Sequence, residues 1–197
     1  MIIGLTGKNA SGKGEAANYL KEKGFICYSL SDAIRDEATK RGLDHSRDNL
    51  IKIGNELRQN FAPSYLAQQI NLKITNHKKK FPNENFFAVD SIRSPFEAKE
   101  LMKNKNFTLV GIDAPIEVRF ERLLERNRIG DAKTLQDFKL QEERENLKSD
   151  TNQQMDETFK LSQKIIRNDG TLEQLHAKID DLLNHLERKS KRETPRN

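Results

Sequence analysis

Ile2-Ile3-Gly4-Leu5-Thr6-Gly7-Lys8-Asn9-Ala10-Ser11-Gly12-Lys13-Gly14-Glu15 is the stretch on which the fold turns. Ile2 to Thr6 is a short apolar run that reads as a strand. Gly7 to Lys13 matches G-x-x-x-x-G-K. A helix follows from about Gly12 to Lys23, ended by Gly24 in the position that favours glycine. Glycines at this spacing let backbone N–H groups wrap a phosphate without side-chain clash. The helix N-terminus adds partial positive charge, and Lys13 reaches the β- and γ-phosphates. The candidate cofactor-binding loop is therefore Gly7, Lys8, Asn9, Ala10, Ser11, Gly12, Lys13, Gly14 and Glu15. It departs from the common pattern at Gly14, where Ser or Thr usually offers Mg²⁺ a hydroxyl, and Glu15 supplies no hydroxyl either. The expectation is Mg²⁺ held mainly through waters and the phosphates of its ligand, an arrangement this ion accepts readily.

Outward from this loop, short apolar runs alternate with longer amphipathic stretches, the pattern of an α/β fold with a parallel sheet. Strands are expected at Phe25 to Leu30, Phe86 to Asp90, Phe107 to Ile112 and Lys164 to Arg167. With the first, these make a doubly wound five-stranded parallel sheet. Ser31 is read as the cap of a helix ending near Arg41. From Ser46 to Lys80 the spacing of Leu50, Ile53, Leu57 and Phe61, then Leu66, Ile70 and Ile74, predicts helix throughout. Ser94-Pro95-Phe96-Glu97 has a capping serine, proline first and glutamate third, a strong helix start. A further helix begins near Pro115. The charged stretch from Arg126 to Asp150, nearly free of large apolar residues, suits a mobile lid better than a core element. A final helix carries Leu172, Leu175, Ile179, Leu182 and Leu186 on one face.

Composition narrows the function classes. The start reads as a strand, with no positive flank of a signal peptide. No apolar run approaches the roughly 20 residues that span a bilayer. Cys27 is the single cysteine, and His45, His77, His176 and His185 are scattered, so neither a disulfide framework nor a metal cluster is expected. A reducing cytoplasm fits this usage. Of the net charge of +5, the tail from Glu187 to Asn197 contributes +3, with five basic residues against two acidic ones. That tail lacks apolar residues and is read as a disordered basic terminus. Without aromatic residues among its charges it does not point to nucleic acid. Nothing in the sequence indicates an oligomeric state.

Several motifs give a family resemblance. Gly12-Lys13-Gly14 and Ser29-Leu30-Ser31-Asp32-Ala33-Ile34-Arg35 resemble segments of adenylate kinases. Gly4-Leu5-Thr6-Gly7 and Asn168-Asp169-Gly170-Thr171-Leu172-Glu173 are similar to dephospho-coenzyme A kinases. Asp32-Ala33-Ile34-Arg35-Asp36-Glu37-Ala38 and Asp90-Ser91-Ile92-Arg93-Ser94 resemble small kinase-like proteins related to both. The resemblance is to P-loop nucleotide kinases and runs from about Met1 to Leu186, one domain. It implies an acceptor-binding helical insert near residues 31–80, a lid near 126–150, ATP and Mg²⁺ as cofactors, and a small nucleotide as acceptor.

Asp32 and Arg35 lie one helical turn apart where an open α/β sheet faces its ligand crevice. The resemblance gives Arg35 the acceptor phosphate, while the spacing alone also suits a surface ion pair. Asp90 ends a strand, where a carboxylate holds Mg²⁺ directly or through water, or simply caps a helix. Arg93 has the forked geometry to brace phosphates. Arg58 is read on a polar helix face near the acceptor. Arg119, Arg122, Arg126 and Arg128 repeat after the fourth strand. As lid arginines, Arg122 and Arg126 would neutralise the transferring group. Asn168 and Gly170 fall in the family's adenine-side loop. Catalytic candidates are thus Lys13, Asp32, Arg93, Arg122 and Arg126, and acceptor candidates Asp32, Arg35, Arg58 and Arg93. The expected activity is transfer of the γ-phosphoryl of ATP to a nucleoside or deoxynucleoside monophosphate. Two alternatives stand beside it: transfer to a ribose hydroxyl in the manner of dephospho-coenzyme A kinases, and a slow ATPase acting as a nucleotide-dependent switch.

Overall fold

A computed structural model describes residues 1–127, 130–146 and 153–193. Its strands are β1 (Ile2–Thr6), β2 (Ile26–Ser29), β3 (Phe87–Asp90), β4 (Phe107–Asp113) and β5 (Lys164–Arg167). All pairs are parallel and the order is β2-β3-β1-β4-β5, with Ile2 opposite Phe87 on one side and Phe107 on the other. The five-stranded parallel sheet expected from the sequence is the one observed.

Alternation along the strands builds two cores. Ile2, Phe87, Val89 and Leu109 face one side of the sheet and meet α2 (Leu30–Lys40), α3 (Arg47–Asn60), α4 (Tyr65–Lys80) and α5 (Pro95–Leu101). Ile3, Leu5, Ala88, Val110 and Ile112 face the other and meet α1 (Lys13–Glu22) and α9 (Leu172–Glu193). Covering both faces is what allows β1 to be buried at every residue, as central strands of parallel sheets are. α6 (Ile116–Arg126), α7 (Leu135–Glu145) and α8 (Met155–Lys160) connect β4 to β5. Among the described residues, no helix is long and apolar enough to cross a membrane.

Local readings differ from the structure at four places. The helix expected from Ser46 to Lys80 is two helices, broken between Phe61 and Ser64. Pro63 disfavours helical backbone at Ala62 and brings no N–H of its own. α2 is capped by Ser29, whose Oγ accepts from the Ser31 amide at 3.3 Å, so the strand runs into the helix with no loop for Ser31 to cap. α9 continues to Glu193, beyond the expected end at Leu186. No glycine or proline intervenes before Pro195, and basic residues suit a helix C-terminus. Residues 194–197 of the expected tail lie outside the described residues.

The fourth difference is in the expected lid. α7 is anchored by Phe138, which is 0% exposed and packs with Leu123 and Ala132. Phe138, with Leu135 packed beside it, docks an otherwise charged helix, and a count of apolar residues misses it. Arg128, Ile129 and residues 147–150 of the same stretch lie outside the described residues.

Candidate active site

The chain leaves β1 through two backbone positions that exclude side chains. At Gly7, φ is 146° and a Cβ would fall 2.2 Å from the Ile112 carbonyl oxygen. At Gly12, φ is 99° and a Cβ would fall 2.1 Å from Asn168 Nδ2. Between them Ala10 has φ 58°, a strained value for a residue with a Cβ. The result is a loop whose residues from Asn9 to Glu15 line a cleft of about 1170 Å³.

Lys13 opens α1 and donates from Nζ to the Lys8 carbonyl at 2.8 Å. Its ammonium is pushed down to about 8, chiefly by burial and then by the Arg93 guanidinium, with Arg119 and Arg126 adding to the effect and Asp90 opposing it. A cation so placed is short of negative charge, which a phosphate would supply. Lys8 turns the other way and pairs with Asp156 of α8 at 3.0 Å. Gly7 and Lys8 thus shape the loop from beneath, while Asn9 to Glu15 face the cleft.

Asp90 closes β3. Its Oδ2 accepts from Ser91 Oγ at 3.2 Å, and its Oδ1 is buried without a partner. Asn9 Nδ2 and Ser11 Oγ are also buried and unpartnered. Three of the five such atoms among the described residues belong to residues lining this cleft, so its unmet hydrogen-bonding capacity is concentrated where a polar ligand would satisfy it. Among the described residues, no group of three or more His, Cys, Asp and Glu is set to hold a metal. Mg²⁺ does not need one, since a single carboxylate with phosphates and waters suffices. Asp90 Oδ1 fits that role, and Gly14 leaves open space where the usual hydroxyl would stand.

The same cleft is walled by Leu30, Ile34, Leu50 and Ile51 and carries Arg35, Arg47, Arg58 and Arg93, of which Arg93 acts most strongly on the Lys13 ammonium. Arg58 is not on a polar face, contrary to the sequence reading: it is 3% exposed. Its Nε and Nη2 donate to Glu97 Oε1 at 3.0 and 2.8 Å. Glu97, itself 0% exposed, uses Oε2 to accept from the amides of Arg93 at 3.0 Å and Ser94 at 3.1 Å. One carboxylate therefore joins α3 to the loop bearing Asp90 and Arg93. In the sequence Glu97 is marked only as a capping residue, by its place three after Ser94. The Arg93 side chain reaches Gln153 at 3.3 Å. Arg35 pairs with Asp32 at 2.9 Å. Asp32 itself points outward, with 60% of its side chain exposed, and the cleft wall is formed by Ser31, Ile34 and Arg35 instead.

On α6, Arg122 donates to the carbonyls of Asn168 at 3.0 Å and Gly170 at 3.4 Å. Arg126 forms a bidentate pair with Asp131, both bonds 2.8 Å, and reaches Asn9 Oδ1 at 3.1 Å. Asn168 is buried and donates Nδ2 to the Ser11 carbonyl at 2.9 Å, bracing the loop rather than facing a base. The loop Asp44-His45-Ser46-Arg47 also lines the cleft. Asp44, just ahead of α3, accepts from the Ser46 amide at 2.9 Å and from Asn49 Nδ2 at 2.7 Å, and hydrogen bonds from Ser46 and Asn49 hold its carboxyl below the usual range. No spacing in the sequence marked this loop as cleft wall, since only the tertiary return of α3 brings it there.

Comparison with known proteins agrees with this architecture. The model of the AAA domain matches residues 3–139. A UPF0200 protein of Pyrococcus abyssi is 32% identical over 186 residues, covering 93% of this chain and 95% of its own. The shikimate kinase from Acinetobacter baumannii, in complex with shikimate, superposes with a TM-score of 0.59 at 15% identity, over 93% of each chain. A gluconokinase from Sinorhizobium meliloti does so with a TM-score of 0.51 at 14% identity, over 95% of this chain and 96% of its own. At such identities the two structures establish a shared P-loop kinase-like fold. The chain belongs to the UPF0200 family and carries an AAA domain of P-loop kinase-like fold.

Proposed function

We propose that this protein is a nucleotide kinase that transfers the γ-phosphoryl group of ATP to a nucleoside or deoxynucleoside monophosphate. The observation carrying the proposal is one cleft lined both by the phosphate loop with Lys13 and by Arg35, Arg47, Arg58 and Arg93 beside an apolar wall. Its volume of about 1170 Å³ exceeds the ~300–1,000 Å³ usual for a single small ligand, which suits a donor and an acceptor together.

The loop amides and Lys13 hold the donor phosphates. Asp90 would hold Mg²⁺, which would supply charge neutralisation at those phosphates. Arg93 and Arg35 hold the acceptor phosphate, and Ile34, Leu50 and Ile51 cover its base. An acceptor phosphate oxygen attacks the γ-phosphorus, the bond to the bridging oxygen breaks, and ADP leaves with that electron pair. Arg126 exchanges Asp131 for the transferring group, and Arg122 keeps the donor-side loop in place. Catalysis is positioning and charge neutralisation. The outward orientation of Asp32 supports an acceptor that is already ionised, because a hydroxyl acceptor profits from a carboxylate base in the cleft.

The test measures ADP formation from ATP and Mg²⁺ across nucleoside and deoxynucleoside monophosphates, dephospho-coenzyme A, shikimate, gluconate and no acceptor. Strong stimulation by one or more monophosphates is expected. Preference for a hydroxyl acceptor, or hydrolysis indifferent to every acceptor, overturns the proposal, the latter in favour of an ATPase switch.

A further inference from the structure

The phosphate loop is held from outside the cleft by side chains that do not line it. Arg119 is the most buried of them, 4% exposed on α6. Its Nε donates to the Ala114 carbonyl at 3.0 Å and its Nη1 to the Asn9 carbonyl at 3.2 Å. The same guanidinium forms a two-pronged pair with Glu142 of α7, Nη1 to Oε1 and Nη2 to Oε2. Its face lies over the Phe138 ring, 5.4 Å from the centroid.

The peptide between Asn9 and Ala10 makes this grip consequential. Carbonyl and amide of a trans peptide point in opposite directions. Drawing the Asn9 oxygen toward Arg119 therefore turns the Ala10 N–H the other way. The next backbone torsion is the strained one, φ 58° at Ala10. A non-glycine residue keeps such a value only when its surroundings over-determine it. Two supports do so, and both come from the α6–α7 unit. One is Arg119 on the carbonyl, and the other is the Leu123, Ala132 and Phe138 cluster, against which the Ala10 side chain packs.

We propose that Arg119 is a positioning residue for phosphate binding, that Glu142 fixes it, and that the docking of α7 thereby sets the affinity of the phosphate loop for nucleotide. The inference rests on the nucleotide-binding reading above and extends it to a helix that touches no ligand. Arg119→Lys keeps the charge but loses the fork that spans Asn9 and Glu142 at once. Glu142→Ala removes the anchor.

The experiment measures ADP affinity by calorimetry and amide hydrogen exchange in the ADP-free protein, for the wild type, Arg119→Lys, Glu142→Ala and the double variant. Each single change is expected to weaken ADP binding by about tenfold, the scale of one charge-assisted hydrogen bond. Exchange is expected to speed up in residues 8–12 while β1 and β4 keep their protection. The double variant is expected to match the worse single one, because the two residues act as one unit. Unchanged ADP affinity with faster exchange across the whole sheet overturns the proposal, leaving the pair a purely structural one. Additive losses overturn the coupling of α7 to the loop. A wild-type protein that binds no ADP overturns the nucleotide-binding reading, and the exchange pattern in residues 8–12 then decides whether the α6–α7 unit holds the loop.

Discussion

Asn168 and Gly12 occupy the same space from two directions: Asn168 Nδ2 sits 2.1 Å from where a Gly12 Cβ would be, while donating to the Ser11 carbonyl at 2.9 Å. The second glycine of the phosphate loop is thus required by the protein's own β5–α9 connection as well as by any ligand. Gly12→Ala must displace Asn168 and adopt φ near 99° with a Cβ. Loss of nucleotide binding by at least ~100-fold is expected, combining backbone strain with a lost buried hydrogen bond. Asn168→Ala leaves Gly12 unstrained but frees the Ser11 carbonyl, and a smaller loss of about tenfold is expected. Calorimetric titration with ADP distinguishes the two. Equal effects would show that the contact, not the backbone, is what matters.

Lys13 gives nucleotide binding a pH dependence with a defined sign. In the free protein its ammonium titrates at about 8, below the ordinary lysine value, so above that pH the site is increasingly uncharged. Binding a phosphate favours the charged form. ADP affinity is therefore expected to be full below pH 8 and to fall above it, with uptake of up to one proton on binding near pH 8–9. Calorimetry in buffers of different ionisation enthalpy reads that proton directly. The free protein behaves oppositely: its unfolded state binds more protons than the native state above about pH 8, so stability from this group rises with pH there. Proton release on binding would contradict the assignment.

The buried pair of Arg58 and Glu97 predicts an asymmetric response. Removing the carboxylate in Glu97→Ala leaves a buried guanidinium and two backbone amides unpaired, and a loss of about 3–5 kcal/mol in unfolding free energy is expected. Replacing both residues by methionine should recover part of that loss, since an apolar pair of similar volume avoids the desolvation cost. Urea unfolding of the singles and the double tests this. A double variant less stable than Glu97→Ala would show that Arg58 stabilises the fold through contacts other than Glu97, such as its bond to Asn55.

What could be read from the sequence, and what could not, follows the range of each interaction. The phosphate loop, the strands and the Ser94 capping box are encoded by neighbouring residues, so periodicity and spacing suffice for them. The Ser94 box is present in full, with the Glu97 side chain returning to the Ser94 amide. The partners of the arginines are not local. Arg58 finds Glu97 across 39 residues and Arg119 reaches Asn9 across 110. No spacing rule links such pairs, so from sequence Arg58 reads as part of a polar face near the acceptor and Arg119 only as one of a row of arginines. Phe138 shows the same limit in packing, where a single aromatic residue in a charged segment proved to be its anchor.

Asp32 provides a test of the acceptor. Its carboxylate is paired with Arg35 and turned outward. With a monophosphate acceptor, Asp32→Asn is expected to leave kcat and its pH profile within about twofold, because an exposed pair of this kind contributes little. Arg93→Ala is expected to lower kcat/KM for the acceptor by ~100-fold or more, the scale of one preorganised charge contact. Steady-state kinetics against the best monophosphate decides. Abolished turnover in Asp32→Asn would mean that this residue swings into the cleft as a base, and would favour a hydroxyl acceptor.

Gly14 is the position where restoring the common pattern should be informative. A Cβ built there meets nothing within 4 Å, and its backbone is helical with no positive φ. Serine therefore fits without strain, and near a helix N-terminus it should stabilise the fold slightly relative to glycine, by a few tenths to about 0.5 kcal/mol. Its hydroxyl would add a direct oxygen ligand for Mg²⁺ next to the water-mediated hold of Asp90. Gly14→Ser is expected to lower the Mg²⁺ concentration needed for half-maximal ATP turnover severalfold, with the melting temperature unchanged or slightly raised. Two opposite results would each be decisive. An unchanged Mg²⁺ requirement would place the metal away from α1, and reduced ATP binding with an intact fold would show that the bound donor itself needs the space Gly14 leaves.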